Sequence, residues 1–201
     1  MSVKLSEEEE AAFARINEKL GLGPDELTFT QADLDAKGKG PIILSSDPLE
    51  STIPPKAVAV ASIADFRNKV YFDDPDDAHV DYPGAPAPKL LSLVKSAKSR
   101  RELKEEFTQD DIINLRKAAT AYLLGKPEKV KDYEALINAF YFPGKIAVFT
   151  AGDITITKDN PLIINSGDPP VLNFKTMTIK PGGYIAVHED STINTQQFIK
   201  E

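Results

Sequence analysis

Residues 146–200 read IAVFTAGDITITKDNPLIINSGDPPVLNFKTMTIKPGGYIAVHEDSTINTQQFIK. Short runs rich in β-branched residues follow one another: Ile146 to Phe149, Ile154 to Ile156, Leu162 to Ile164, Val171 to Ile179, Tyr184 to Val187, and Ile193 with Phe198. Between them stand Ala151-Gly152-Asp153, Lys158-Asp159-Asn160-Pro161, Ser166 to Pro170 and Pro181-Gly182-Gly183, whose glycines, prolines and Asx residues favour chain reversal. Runs this short with turns this frequent predict a β-rich region over 143–201.

Two β architectures fit that pattern, and both give an α+β fold with a β-rich C-terminal half. The expected one is an antiparallel sandwich or roll that borrows the strand candidates Pro41 to Leu44 and Ala57 to Ala61, so that 143–201 forms one compact domain with 41–72. The alternative is a short β-solenoid, which repeats every roughly 20 residues and needs about three coils for stability. One echo speaks for it, Ile154-Thr155-Ile156 against Met177-Thr178-Ile179, each before a lysine with a proline nearby. In either case the strand holding Ile193, Thr195, Gln197 and Phe198 lies near a sheet edge with little charge on it. Such an edge is either covered by the protein itself or used for association, so these four residues form a candidate assembly edge.

Upstream, 89–142 has helical periodicity. Thr108 with Asp111 starts a stripe of Ile112, Leu115, Ala119, Tyr122 and Leu123, which Gly125 and Pro127 end. Val130, Tyr133, Ile137 and Phe140 form a second stripe beginning at Pro127, and the two predict an antiparallel helical hairpin. The segment 41–88 reads as extended strands followed by a Pro- and Asp-rich exposed loop. The segment 1–40 reads as helical: Ser6 with Glu9 makes a capping box, Phe13, Ile16 and Leu20 recur at helical spacing, and Thr30 opens a second short helix that ends before Gly38. The similarity of Phe29-Thr30-Gln31-Ala32-Asp33-Leu34 to Phe107-Thr108-Gln109-Asp110-Asp111-Ile112 is explained by two independent helix starts with a Thr cap.

The chain of 201 residues carries 24 Lys plus Arg against 31 Asp plus Glu, a formal charge of −7. That balance argues against a general affinity for nucleic acid. There is no cysteine, which removes disulfides, thiol nucleophiles and cysteine-ligated zinc. No run approaches the roughly 18 apolar residues of a membrane span, and the acidic start MSVKLSEEEE lacks a signal-peptide core, so a cytoplasmic location is the default expectation and signal-independent export the alternative. No nucleophile elbow, phosphate-binding loop, dinucleotide fingerprint or metalloprotease helix is present.

The chemistry-bearing residues are few. Both histidines sit beside carboxylates: His79 among Asp73, Asp74, Asp76, Asp77 and Asp81, and His188 before Glu189. Clustered carboxylate oxygens suit a hard divalent cation and imidazole suits softer ones, so these residues are the candidate metal ligands. The acidic loop lacks EF-hand spacing, however, and reads rather as a solvated charged loop. Lys95, Lys98, Arg100, Arg101 and Lys104 make the one basic cluster, and Glu102, Glu105 and Glu106 dilute it. The threonines of the tail, among them Thr155, Thr178 and Thr195, suit a solvated strand face.

The leading expectation is thus a non-enzymatic binding or assembly protein acting through its β-rich half, as a homo-oligomer or with a protein partner. The alternative is a metal-binding protein or metal-dependent enzyme using His79, His188 and nearby carboxylates. A weaker one is an effector- or toxin-like protein binding a glycan or membrane.

Overall fold

A computed structural model describes residues 4–70, 77–97, 99–165, 170–188 and 191–201, with Asp77 described by its backbone alone. The chain divides into two compact units, residues 1–59 with 145–201, and residues 60–144.

The first unit is built on two β-sheets. One sheet orders its strands β1 (Ile42–Leu44), β4 (Leu162–Ile164) and β6 (Ile185–Val187). The other orders β2 (Lys56–Val60), β3 (Gly144–Ile156), β5 (Pro170–Ile179) and β7 (Thr192–Lys200). From β3 onward the chain alternates between the two sheets, and β1–β4, β4–β6, β3–β5 and β5–β7 all pair in parallel. That winding selects the short solenoid over the antiparallel sandwich or roll. Parallel strands need a crossover between them, and in the β3–β5, β4–β6 and β5–β7 pairs that crossover is a strand of the opposite sheet.

The coil repeat is regular. Phe149 pairs with Leu172, 23 positions on, and Leu172 pairs with Ile193, 21 positions on. The echo seen between Ile154-Thr155-Ile156 and Met177-Thr178-Ile179 is a direct register match. Ala151-Gly152-Asp153, expected as a turn, instead lies inside the single strand β3. The ladders skip Gly152, Lys175 and Gln196, and at each of these places two consecutive residues leave the core face before the pattern resumes. Core-facing residues therefore fall at 149, 151, 154 and 156 in β3, and at 172, 174, 177 and 179 in β5, where they join one apolar cluster with Ile42, Leu44, Leu162 and Ile164. Phe149 and Phe174 are fully buried there, each contributing roughly 1.5–3 kcal/mol from removal of its ring from water. The break in strict alternation made one strand look like two. At the corner after β5, Gly182 takes φ 79°, a conformation that L side chains rarely adopt.

Helix α1 (Glu7–Lys19) begins with the expected capping box of Ser6 and Glu9 and buries Phe13 and Ile16. It lies against β5 and β7. Helix α2 (Gln31–Asp35) is capped by Thr30 and buries Leu34 in the solenoid core.

The second unit is helical. Its elements are α3 (Ile63–Val70), a 3₁₀ turn at Asp77–His79, α4 (Pro88–Ser96), α5 (Arg100–Glu105), α6 (Gln109–Leu124), a 3₁₀ segment over Pro127–Tyr133, and α7 (Glu134–Tyr141). Helix α3 corrects the expectation that 41–88 is extended. Ser62 accepts the Asp65 N–H, and Ile63 and Val70, two turns apart, are buried. The helix expected from Pro127 is also divided. Val130 leaves helical geometry at φ −123°, and the 3₁₀ winding keeps Val130 and Tyr133, three residues apart, on one buried face. Leu115, Ala118 and Ala121 of α6 and Leu136, Ile137 and Phe140 of α7 share one apolar cluster; of the expected α6 stripe Leu115 and Tyr122 are buried, whereas Ile112, Ala119 and Leu123 are only partly so. The Pro-rich segment after the 3₁₀ turn is anchored rather than fully exposed: Tyr82 Oη accepts the Lys126 N–H at 2.7 Å, and Tyr133 Oη donates to Gly84 C=O at 2.9 Å.

Candidate assembly edge

The core-facing spacing of β3 and β5 recurs in β7. Ile193 continues the Phe149–Leu172 ladder, Thr195 the Ala151–Phe174 ladder, Phe198 the Ile154–Met177 ladder and Lys200 the Ile156–Ile179 ladder. In the other sheet, Val187 continues the Leu44–Ile164 ladder. The buried rows thus run out to the end of the stack, where Ile193 is 37% exposed, Val187 51% and Phe198 55%. Among the described residues β7 is the terminal strand of its sheet, and β6 of the other.

The opposite end of the stack is closed by the chain itself. Thr28 N–H donates to Thr150 C=O at 2.9 Å, Thr150 N–H to Thr28 Oγ1 at 2.8 Å, and Thr155 N–H to Gln31 Oε1 at 2.7 Å. These bonds occupy backbone groups of β3. Beyond β1, Thr52 N–H donates to Ile43 C=O at 2.7 Å and Ile43 N–H to Thr52 Oγ1 at 2.9 Å. Strand β2 has five residues, follows two prolines and opens on Lys56, which is ion-paired with Glu26. Short length, proline and lysine are the devices that keep an edge from pairing. Strand β7 is nine residues long, and only Lys200 among them is charged.

Of the four candidate edge residues, Ile193, Thr195 and Phe198 are core-facing, whereas Gln197 is turned to the other face. Its amide donates to both carboxylate oxygens of Glu9 on α1, at 3.1 and 3.2 Å. The Ser6 backbone N–H, then the Gln197 amide and the Ser6 hydroxyl, hold the Glu9 carboxyl below the usual carboxylate range. The same layer contains Asn173, fully buried, which donates to Asn17 Oδ1 at 2.8 Å and to Phe13 C=O at 3.2 Å. Asn17 in turn donates to the carbonyls of Gly23, Pro24 and Glu26. Lys175 pairs with Glu10 at 2.7 Å and lies over the Phe13 ring. Helix α1 is thereby fixed to the face of β5 and β7, and among the described residues the β7 edge itself stays open. Val187 was not among the sequence's edge candidates; the recurring gaps of two, three and two residues between core positions of β3, β5 and β7 were the signal that favours the solenoid alternative over the sandwich.

Among the described residues the metal candidates are not gathered into a site. Asp73, Asp74, Asp76 and Glu189 lie outside the described residues, as does the Asp77 side chain. His79 is exposed at the end of its 3₁₀ turn, and Asp81 is paired with Lys117 at 2.8 Å. His188 is exposed just past β6 and donates its backbone N–H to Ile164 C=O. His79 and His188 belong to different units. Among the described residues no group of three or more His, Asp or Glu side chains is placed to hold a metal ion.

Three residues of the basic cluster are engaged with their own unit. Arg100 donates to Pro143 C=O, Arg101 pairs with Glu105 at 2.9 Å, and Lys104 lies over the Phe140 ring; Lys98 is outside the described residues. A cleft of about 270 Å³ beside α2 includes Gln31, Asp35, Thr155 and Asn160. Gln31 bonds Asp35 and the Thr155 N–H, and Asn160 bonds the Gly38 carbonyl. Among the described residues no helix is long and apolar enough to cross a membrane. Comparison with family models, curated proteins and solved structures finds no match.

Proposed function

We propose that this protein is a non-enzymatic binding or assembly module that accepts an added β-strand on the edge of β7. The observation that carries the proposal is the asymmetry of the stack: one end is closed by Thr28, Gln31 and Thr52, while the other presents Ile193 and Phe198 from rows that are buried one coil earlier. Terminal coils of solenoids ordinarily present a polar outer face. Strand addition here supplies backbone hydrogen bonds for affinity, and the core-facing positions of β7 select the apolar side chains of the incoming strand.

A random nine-residue peptide library panned against sparsely immobilised protein tests this reading. Enriched peptides alternate apolar residues and bind at least tenfold more weakly to the Phe198→Lys and Ile193→Lys variants, whose circular dichroism matches the parent. Absence of enrichment, or peptides indifferent to both substitutions, overturns it.

A further inference from the structure

Resting on that reading of the β7 edge, we infer that its occupant is a second copy of this chain, paired antiparallel with β7 about a twofold axis between Gln196 and Gln197. The register carries the argument. In an antiparallel pair, directly opposed residues lie on the same face of the sheet. The core-facing positions of β7 are 193, 195, 198 and 200, as fixed by their partners Leu172, Phe174, Met177 and Ile179. This set is unevenly spaced, because two consecutive residues leave the core face in the middle of the strand. It is nevertheless symmetric about the point between Gln196 and Gln197.

Twofold pairing at that point sets Ile193 opposite Lys200 of the second copy and Thr195 opposite Phe198, so every core-facing residue meets a core-facing one. A slip of one position sets Ile193, Thr195 and Phe198 opposite residues of the other face. A slip of two leaves Thr195 opposite Gln196 or Phe198 opposite Gln197. An ordinary alternating strand does not discriminate among registers two apart, so the break makes the edge self-selective.

Charge and topology agree with this partner. Lys200 faces Ile193 rather than its own copy, so the one charged side chain of β7 meets no like charge across the new pair. The Phe198 ring, 55% exposed, gains a neighbour in the Thr195 methyl. The assembly also stops at two. A head-to-tail stack needs a second open end, and the other end has Thr28 and Gln31 bonded to β3, Thr52 bonded to β1, and the proline- and lysine-guarded β2. The result is an isologous, closed dimer.

The experiment combines light scattering after size exclusion with cysteine pairing, which has no background because the chain has no cysteine. Wild type at about 100 μM elutes with twice the chain mass, and Phe198→Lys shifts it to one chain mass with unchanged circular dichroism. Under mild oxidation an equimolar mixture of Thr195→Cys and Phe198→Cys proteins gives a disulfide-linked dimer. Opposed Cα atoms in such a pair lie about 4.5–5.5 Å apart, within disulfide reach. A mixture of Ile193→Cys and Thr195→Cys gives at least tenfold less.

A dimer that crosslinks equally in both mixtures, or that survives Phe198→Lys, overturns the inferred pairing. A monomer at 100 μM that still enriches β7-dependent peptides overturns the second copy as occupant and leaves the strand-accepting edge standing. A monomer that enriches none overturns both.

Discussion

Thr176 is a buried polar side chain that is unfavourable for stability. It sits on β5 in register with Asp153 and Gln197, is 4% exposed, and its hydroxyl has no hydrogen-bond partner among the described residues. A buried hydroxyl without a partner loses its water bonds and regains nothing. Valine has nearly the same shape and the same preference for strands. Thr176→Val is therefore expected to stabilise the protein by about 1 kcal/mol, read as a higher urea midpoint with an unchanged slope. A lower midpoint would mean that the hydroxyl is satisfied by ordered water. Asn173, two positions before Lys175, is a mixed case: its amide nitrogen donates two bonds that fix α1, while its Oδ1 is buried without a partner among the described residues.

Helix α1 ties the N-terminal segment to the sheet through a carboxylate, and this gives the element a pH dependence of known sign. Glu9 accepts the Ser6 N–H at 2.7 Å and two contacts from Gln197, and its carboxyl is held below the usual range mainly by the Ser6 backbone N–H. A carboxyl that binds protons less readily when folded than when unfolded contributes stability above its ordinary pKa and loses that contribution as pH falls through the depressed one. Wild type is therefore expected to lose more stability than Glu9→Gln between pH 7 and pH 3. Glutamine keeps the capping-box geometry without the charge, so urea midpoints at the two pH values isolate the ionisation. Equal losses in the two proteins would remove Glu9 from the acid response. The capping boxes at Ser6, Thr30 and Thr108 were all legible in the sequence, because they depend on residues three apart. Helix α3 was not: Pro54-Pro55 before it and the acidic loop after it made its neighbourhood look extended, although Ser62, Ile63 and Val70 carried the helical spacing.

At the scale of the whole molecule, the described residues form two apolar clusters, one around Phe149 and Phe174 and one around Leu115 and Leu136, with no residue in common. Each unit is thus expected to have its own stability. Phe174→Ala should cost about 3–5 kcal/mol and Leu136→Ala about 2–5 kcal/mol. Hydrogen exchange followed by mass spectrometry should show the first loss in peptides from 145–201 and the second in peptides from 100–141. Loss of protection across both sets in either variant would show that the two cores open as one cooperative unit. The candidate edge belongs to the first unit and inherits its rigidity from rows that are buried in β3 and β5.

What the sequence determined by itself was local: the caps, the strand candidates at Ile42 to Leu44 and Leu162 to Ile164, the two stripes of the helical hairpin, and the low charge of the segment from Ile193 to Phe198. Each follows from side-chain spacing within a few residues. Parallel pairing, the offsets of 23 and 21 residues and the facing of β7 were decided only by tertiary structure, because strands of one coil meet those of the next across a whole intervening turn. The double outward step at Gly152-Asp153, Lys175-Thr176 and Gln196-Gln197 hid the repeat, since it breaks the two-residue alternation by which a strand is recognised. The same packing decided which end of the stack stays open. Thr28 and Gln31 reach β3 across more than 120 residues of sequence, a separation over which no local rule operates.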